Sequence, residues 1–371
     1  MKTLSRAQRK AKDAEKAFKY KAILFIPTES YDAATITVLQ GLQELGFTIY
    51  TYRKPNINSW FCNQVVNDIP SWLSFDFVLS NLHWGTQWHL YNELKLHDYP
   101  KVLIDGCDNR AHHTWKDKYR FYCKKYKGRQ RPVPDVLAQD IQPYRWMEPL
   151  GDYKPDVIFT SQKNPGDKET VYLPFGIHRE YLKLAQGKLG QDRSVDFTNV
   201  PGPGDKRREL TAFLQAAKLP GRIHNDKVRG QAIVSKPIEN LVHRDNNRHS
   251  WRRWITYQDY FRLLNDTKIF LYPGVYARPH WDSKRQWEAL ASGCLVMTEE
   301  PPVDMAEYPM TELCPPAVYQ SLDDMVEKCR AFYDNPGWAE QHRLRAVAGV
   351  LKYFTPVPIA RYFLWKVKKA L

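Results

Sequence analysis

The stretch Lys268 to Thr298, KIFLYPGVYARPHWDSKRQWEALASGCLVMT, constrains the fold more than any other part of the chain. It reads as strand, long loop, helix, strand. Lys268 to Tyr272 is a short apolar run stopped by Pro273-Gly274, and Cys294 to Met297 is a second run that follows a glycine. Between them, Ser283-Lys284-Arg285-Gln286 fits a capping box, with the Ser283 hydroxyl taking an orphan N–H while Gln286 reaches back. Gly293 supplies the helix stop. Arg285 and Glu288 are three apart and share a face, whereas Trp287, Leu290 and Ala291 point elsewhere to pack. A helix N-terminus carrying Lys284 and Arg285 is a ready site for a phosphate group. One turn further in, Glu288 could accept hydrogen bonds from two neighbouring hydroxyls, such as a ribose offers. The combination suggests a handle for a nucleoside diphosphate. The competing reading is an Arg285–Glu288 pair on a solvated face, worth a few tenths of a kcal/mol.

At 371 residues the chain suits two domains rather than one core. With 43% hydrophobic and 26% charged residues it belongs to the globular class. No apolar run approaches the roughly 20 residues needed to span a bilayer, and the basic N-terminus lacks a signal-peptide core. A cytoplasmic protein is expected. Six cysteines are scattered without CxxC spacing, so reduced, buried thiols are expected and a zinc site is not. The net charge of +14 calls for an anionic partner, and a nucleotide-sugar donor, an anionic membrane surface and nucleic acid all satisfy it.

In chain order, residues 1–20 form a basic arm, read as solvated and partly helical, with a membrane or nucleic-acid contact as the sharper alternative. A strand from Lys21, a helix through Ile36, Leu39, Leu42 and Leu45, and a strand from Phe47 to Tyr52 make a β-α-β opening that suits a Rossmann-like domain. The turn after the first strand has no glycines and so no dinucleotide fingerprint. Further strands are expected near Phe75 to Ser80, Lys101 to Ile104, Val157 to Thr160 and Val171 to Leu173. His83 follows one strand end, where a histidine can serve as a base on a hydroxyl. Asp105 and Asp108 follow another, and a turn-forming role for this Asp-Gly segment competes with a catalytic one. The adjacent His112-His113 diverge on any regular element and have no companion cluster, so no metal site is expected.

Residues 283–294, SKRQWEALASGC, resemble the nucleotide-sugar motif of GT-B glycosyltransferases, with the group-1-like and spore-maturation-type branch the most similar. The segments VLIDGCDN with RFYCKKY, and Leu173-Pro174-Phe175-Gly176-Ile177, resemble the amino-terminal half and the interdomain passage of the same family. The resemblance implies an α/β fold of two Rossmann-like domains facing across a cleft. Residues 21–177 would form the acceptor domain and 178–355 the donor domain, with 356–371 a helix that returns to the first domain. It places the donor ribose on Glu288 and the diphosphate on Arg285 and the Ser283-Lys284 turn. Gly202 and Gly204, in the turn Pro201-Gly202-Pro203-Gly204 after the first strand of the second domain, would let the backbone approach the donor phosphates. His83, Asp105 and Asp108 are the candidate bases. No cofactor is implied beyond the nucleotide sugar as co-substrate, and no metal.

The acceptor stays open between a cell-surface glycan or lipid-linked glycan and modified bases in DNA. The latter is motivated by the stretch RDNNRHSWRRW, which mixes cations with stacking rings. A non-catalytic nucleotide-sugar-binding protein of the same fold is the third reading. The final segment, PVPIARYFLWKVKKAL, offers a second membrane contact through Tyr362, Phe363 and Trp365.

Overall fold

Two all-parallel sheets organise the protein in a computed structural model that describes residues 11, 13–27, 33–52, 64–81, 96, 98–105, 155–161, 170–185, 193–198, 223–224, 257–272, 284–299, 308 and 317–371. The first half contributes β1 (Ala22–Ile26), α1 (Ala33–Glu44), β2 (Thr48–Tyr52), β3 (Gln64–Val66), β4 (Phe77–Asn81), β5 (Lys101–Asp105), β6 (Val157–Thr160), β7 (Thr170–Tyr172) and α2 (Arg179–Leu184). The second half follows with β8 (Val195–Thr198), β9 (Ile223–His224), α3 (Tyr257–Asn265), β10 (Thr267–Tyr272), α4 (Lys284–Ala291), β11 (Leu295–Glu299) and β12 (Ala317–Tyr319). Three helices close the chain: α5 (Leu322–Asp334), α6 (Pro336–Tyr353) and α7 (Pro356–Ala370).

The first sheet is seven-stranded in the order β3-β2-β1-β4-β5-β6-β7, and the second five-stranded in the order β12-β11-β10-β8-β9. Every recorded strand pair is parallel. Such strands are covered on both faces, which explains why β1 and β4 are buried at every position rather than at alternate ones. On one face of the first sheet, Ile23, Phe25, Phe77, Leu79, Val102, Ile104 and Phe159 join α1 and α7 in a core that continues to Trp287 of α4 and Phe270 of β10. The two halves therefore share apolar contact along the passage between them.

That passage is double. Residues 173–178 lead out of the first sheet, and 354–355 lead back, and the Ile177 N–H donates to the Phe354 carbonyl at 2.9 Å. Gly176 sits at φ +59°, and a Cβ there would lie 2.1 Å from Ile359 Cδ1 and 2.7 Å from the Phe354 carbonyl oxygen. Only glycine satisfies both conditions. Helix α7 then crosses α1 so closely that a Cβ on Gly41 would meet the Pro356 carbonyl oxygen at 2.1 Å. Phe363 of α7 lies with its ring 4.6 Å from that of Phe159, and the Tyr362 hydroxyl donates to the Tyr172 carbonyl at 3.0 Å. The terminal helix thus returns to the first sheet, as the resemblance implied. Tyr362 and Phe363 are fully buried there, which removes both from the membrane contact considered for this segment.

The basic arm also differs from expectation over its described part. Ala11, Ala14 and Glu15 are buried, Phe18 packs its ring on Phe47 and Phe77, and Glu15 pairs with Arg361 of α7 at 3.2 Å. Charge composition alone hid this, because the burial comes from a few alanines and one aromatic spaced among the lysines.

In the second half, Arg193 is buried just before β8. Its guanidinium donates to the carbonyls of Leu264, Thr267 and Ser292, tying the ends of α3 and α4 to the start of β10. The Leu264 and Ser292 carbonyls lie at helix ends, where intrahelical donors run out. Cys294 and Cys329 are free, buried thiols, and burial pushes them up to about 11 and about 12 respectively.

Candidate functional site

In the second sheet, β8 leads to β9 on one side and to β10 on the other, so the strand order reverses between β8 and β10. Open parallel sheets bind ligands in the crevice outside the carboxyl ends of the strands at such a reversal. The chain leaves β8 at Thr198 and β10 at Tyr272, and the segment after β10 returns through α4, whose first turn carries Lys284 and Arg285. Helix α4 spans β10 to β11, which pair directly, Ile269 with Leu295 through Tyr272 with Thr298. Its N-terminus therefore stands at the carboxyl rim of the sheet, with its N–H groups and two cations on the same side as the reversal.

Glu288 is 1% exposed, one turn along α4. Burial raises its pKa, opposed by the charges of Lys284 and Arg285 and by the Tyr260 hydroxyl on α3. Its Oε1 accepts no hydrogen bond among the described residues. A buried carboxylate oxygen left this way costs free energy unless something satisfies it. Glu288 is thus neither on a solvated face nor simply paired with Arg285, and the surface-pair reading fails on burial.

The passage between the two sheets supplies a neighbour to the first turn of α4. His178, the residue before α2, is buried, and its ring lies 3.7 Å from that of Tyr181. Burial and then the nearby Lys284 lower its pKa to about 3, so it is neutral and close to the first turn of α4. Tyr181 packs on Phe261 of α3, and Trp287 of α4 lies 4.2 Å from Phe354, where the passage returns. Helix α4, which carries Glu288, is packed among α2, α3 and the double passage. Sequence reading missed His178 and Tyr260. The one available signal was the position of His178 directly after Leu173-Pro174-Phe175-Gly176-Ile177. Tyr260 was hidden inside an ordinary amphipathic helix.

The capping box is half corrected. Gln286 turns into the sheet and donates to Thr298 Oγ1 at 3.2 Å, and its Oε1 has no partner among the described residues. Its neighbours in α4 are buried, so the side chain follows the sheet-facing side of the helix. Ser283, Gly202, Gly204, His83 and Asp108 lie outside the described residues. The backbone of Asp105 closes β5, next to Thr160 of β6. The structure thus brings Lys284, Arg285 and Glu288 together on one helix turn. Among the described residues no cluster of three or more His, Cys, Asp or Glu could hold a metal ion.

Residues 207–364, which include α4 and both strands it joins, match a glycosyl transferase-like family. Among solved structures, sucrose-phosphate synthase from Thermosynechococcus elongatus is 14% identical, with 91% of this chain and 96% of that one covered at a TM-score of 0.52. Anabaena HepE in complex with UDP-glucose is 12% identical, with 94% and 100% covered at 0.51. A glycosyltransferase from Rickettsia africae ESF-5 is also 12% identical, with 94% and 98% covered at 0.50.

The fold is that of the GT-B glycosyltransferases. At these identities the likeness to solved structures is one of fold, and the family match does not select the spore-maturation-type branch. No curated protein sequence matches the chain. The matched segment takes in β9 to β12 of the five-stranded sheet and runs on into α7, which packs on the seven-stranded sheet. No helix among the described residues is long and apolar enough to cross a membrane.

Proposed function

We propose that this GT-B protein is a glycosyltransferase that moves a sugar from a nucleotide-sugar donor to a hydroxyl acceptor without a metal ion. The observation that carries the reading is Glu288, a buried carboxylate with an unsatisfied oxygen, one turn below two cations at the rim where the strand order reverses. Two adjacent ribose hydroxyls donating to Glu288 would satisfy that oxygen. Arg285, Lys284 and the N–H groups of α4 then face the diphosphate, with Ser283 and the Gly202-to-Gly204 turn completing the donor side. The complex of Anabaena HepE with UDP-glucose supports a nucleotide-sugar donor for this fold.

In the reaction the acceptor oxygen bonds to the anomeric carbon as the bond from that carbon to the diphosphate oxygen breaks. Negative charge collects on the departing diphosphate, where Lys284, Arg285 and the helix N-terminus stabilise it in place of a metal ion. The acceptor proton passes to a base on the first domain if the configuration inverts, and His83, Asp105 and Asp108 are the candidates. Asp105 has the backbone placement for it, at the carboxyl end of an inner strand. Residues 21–177 would hold the acceptor and 178–355 the donor, in a cytoplasmic enzyme that meets a cell-surface or lipid-linked glycan at the membrane.

The test is a panel of nucleotide sugars scored by thermal shift, followed by product analysis with each that binds. The reading predicts that at least one raises the melting temperature and is consumed, by transfer or slow hydrolysis. Binding without any turnover would favour a non-catalytic nucleotide-sugar-binding protein. No binding at all would overturn both.

A further inference from the structure

We infer that the outer face of α6 docks on an anionic lipid surface. Helix α6 buries Ala339, Ala346, Val347 and Val350 against the rest of the second half. Its opposite side carries Leu344 and Leu351, which are 44% and 50% exposed. They are seven residues apart, two turns, and so lie in one line with Ala348 between them. Arg345 and Lys352 each follow one of these leucines and form a second line beside the first, also exposed. None of the exposed positions of α6 is Asp or Glu. Within α6 the one acid, Glu340, is partly buried and paired with Arg343, and the exposed Asp334 lies before the helix, one turn ahead of Trp338.

Trp338 stands at the start of the helix on the line of Arg345 and Lys352, seven and fourteen residues before them, with the leucine line on the far side of the cations. Its indole is 50% exposed yet held in place, stacked on Phe332 of α5 at 4.3 Å. A fixed aromatic ring, a narrow leucine line and a flanking line of cations are what an interfacial helix presents to headgroups and the first methylenes. A stable protein partner needs about 800 Å² from each side with a broad apolar centre. The leucine line is too narrow to provide that, and the charged side chains exposed beside it on α6, Arg345 and Lys352, are of one sign. The net charge of +14 favours the same anionic partner over long range. This face replaces the terminal helix as the membrane contact, since Tyr362 and Phe363 are occupied in the core. Helix α6 packs on α4 through its buried side, and its exposed side carries none of the donor residues, so the inference does not depend on the donor site.

Sedimentation of the full chain with vesicles tests it, using phosphatidylcholine alone or mixed with phosphatidylglycerol. The wild type should bind the mixed vesicles, bind neutral ones weakly, and lose binding as salt rises. The double variant Leu344→Glu, Leu351→Glu should bind mixed vesicles at least tenfold more weakly. The pair Arg345→Gln, Lys352→Gln should lose about fivefold per cation on mixed vesicles only. Both pairs are exposed, so melting temperature and nucleotide-sugar binding should not change. Equal binding by wild type and variants, equal binding to both vesicle types, or no binding by the wild type would overturn the inference. So would a dimer in solution that Leu344→Glu converts to a monomer, since a second copy would then cover the face.

Discussion

A carboxyl group with no exposure and one unsatisfied oxygen is an unusual residue to keep in a helix, and Glu288 shows what it costs. Burial raises its pKa, so the native state binds a proton more readily than the unfolded chain does. Below the ordinary carboxylate range both states are protonated and the group is neutral with respect to folding. As pH rises through the raised native range, the folded state must hold a buried charge and stability falls. Glu288→Gln should therefore melt higher than the wild type at neutral pH, with the gap closing towards pH 4. Differential scanning calorimetry at several pH values reads this, and a variant less stable than wild type at pH 7 would contradict it.

His178 behaves in the opposite sense. It is neutral in the folded protein down to about pH 3, whereas an unfolded histidine takes a proton near 6.5. The unfolded state then binds more protons across that window, and stability is lost as pH falls below 6.5. The loss approaches about 1.4 kcal/mol per pH unit from this one group. His178→Gln should flatten the decline in melting temperature between pH 6.5 and 4.5, and an equally steep decline in the variant would refute the assignment.

Elements were legible where hydrophobic period and punctuation agreed. The strand–helix–strand of β10, α4 and β11 appears within a residue or two of its expected limits, because glycine and proline mark its ends and the runs are apolar throughout. Strands β3 and β12 were not foreseen, since three residues such as Gln64-Val65-Val66 carry no period. The short α2 was missed for the same reason: six residues show less than two turns of pattern. Burial of Glu288 was also beyond the sequence, because it depends on α2 and α3 arriving beside α4 from distant segments. The contact of α1 with α7 is of that kind too. Gly41→Val, with a Cβ directed at the Pro356 carbonyl, should cost about 1–3 kcal/mol or more, seen as a lower melting temperature. An unchanged melting temperature would mean that α7 is not held against α1 at this point.

Across the whole molecule, the resemblance at residues 283–294 foretold a fold that the rest of the sequence left vague. Two parallel sheets, a double passage between them and a terminal helix that goes back to the first sheet are all present. Composition misled at the amino end, where the lysine-rich arm is docked from Ala11 onward, while at the carboxyl end the aromatic helix is core, as the resemblance implied, and not the membrane contact kept as its alternative. In each case a few apolar residues with the right partners outweighed many charged ones, since burial is decided by contacts and not by average polarity.

Calorimetric titration of the nucleotide sugar that the thermal-shift panel selects, into wild type and Glu288→Ala, tests the central claim most directly. Two hydrogen bonds to a buried carboxylate predict affinity lower by about a hundredfold or more in the variant, with the melting curve of the unliganded protein still cooperative. Equal affinity in the two proteins would contradict the account, because the carboxylate would then have no part in holding the donor.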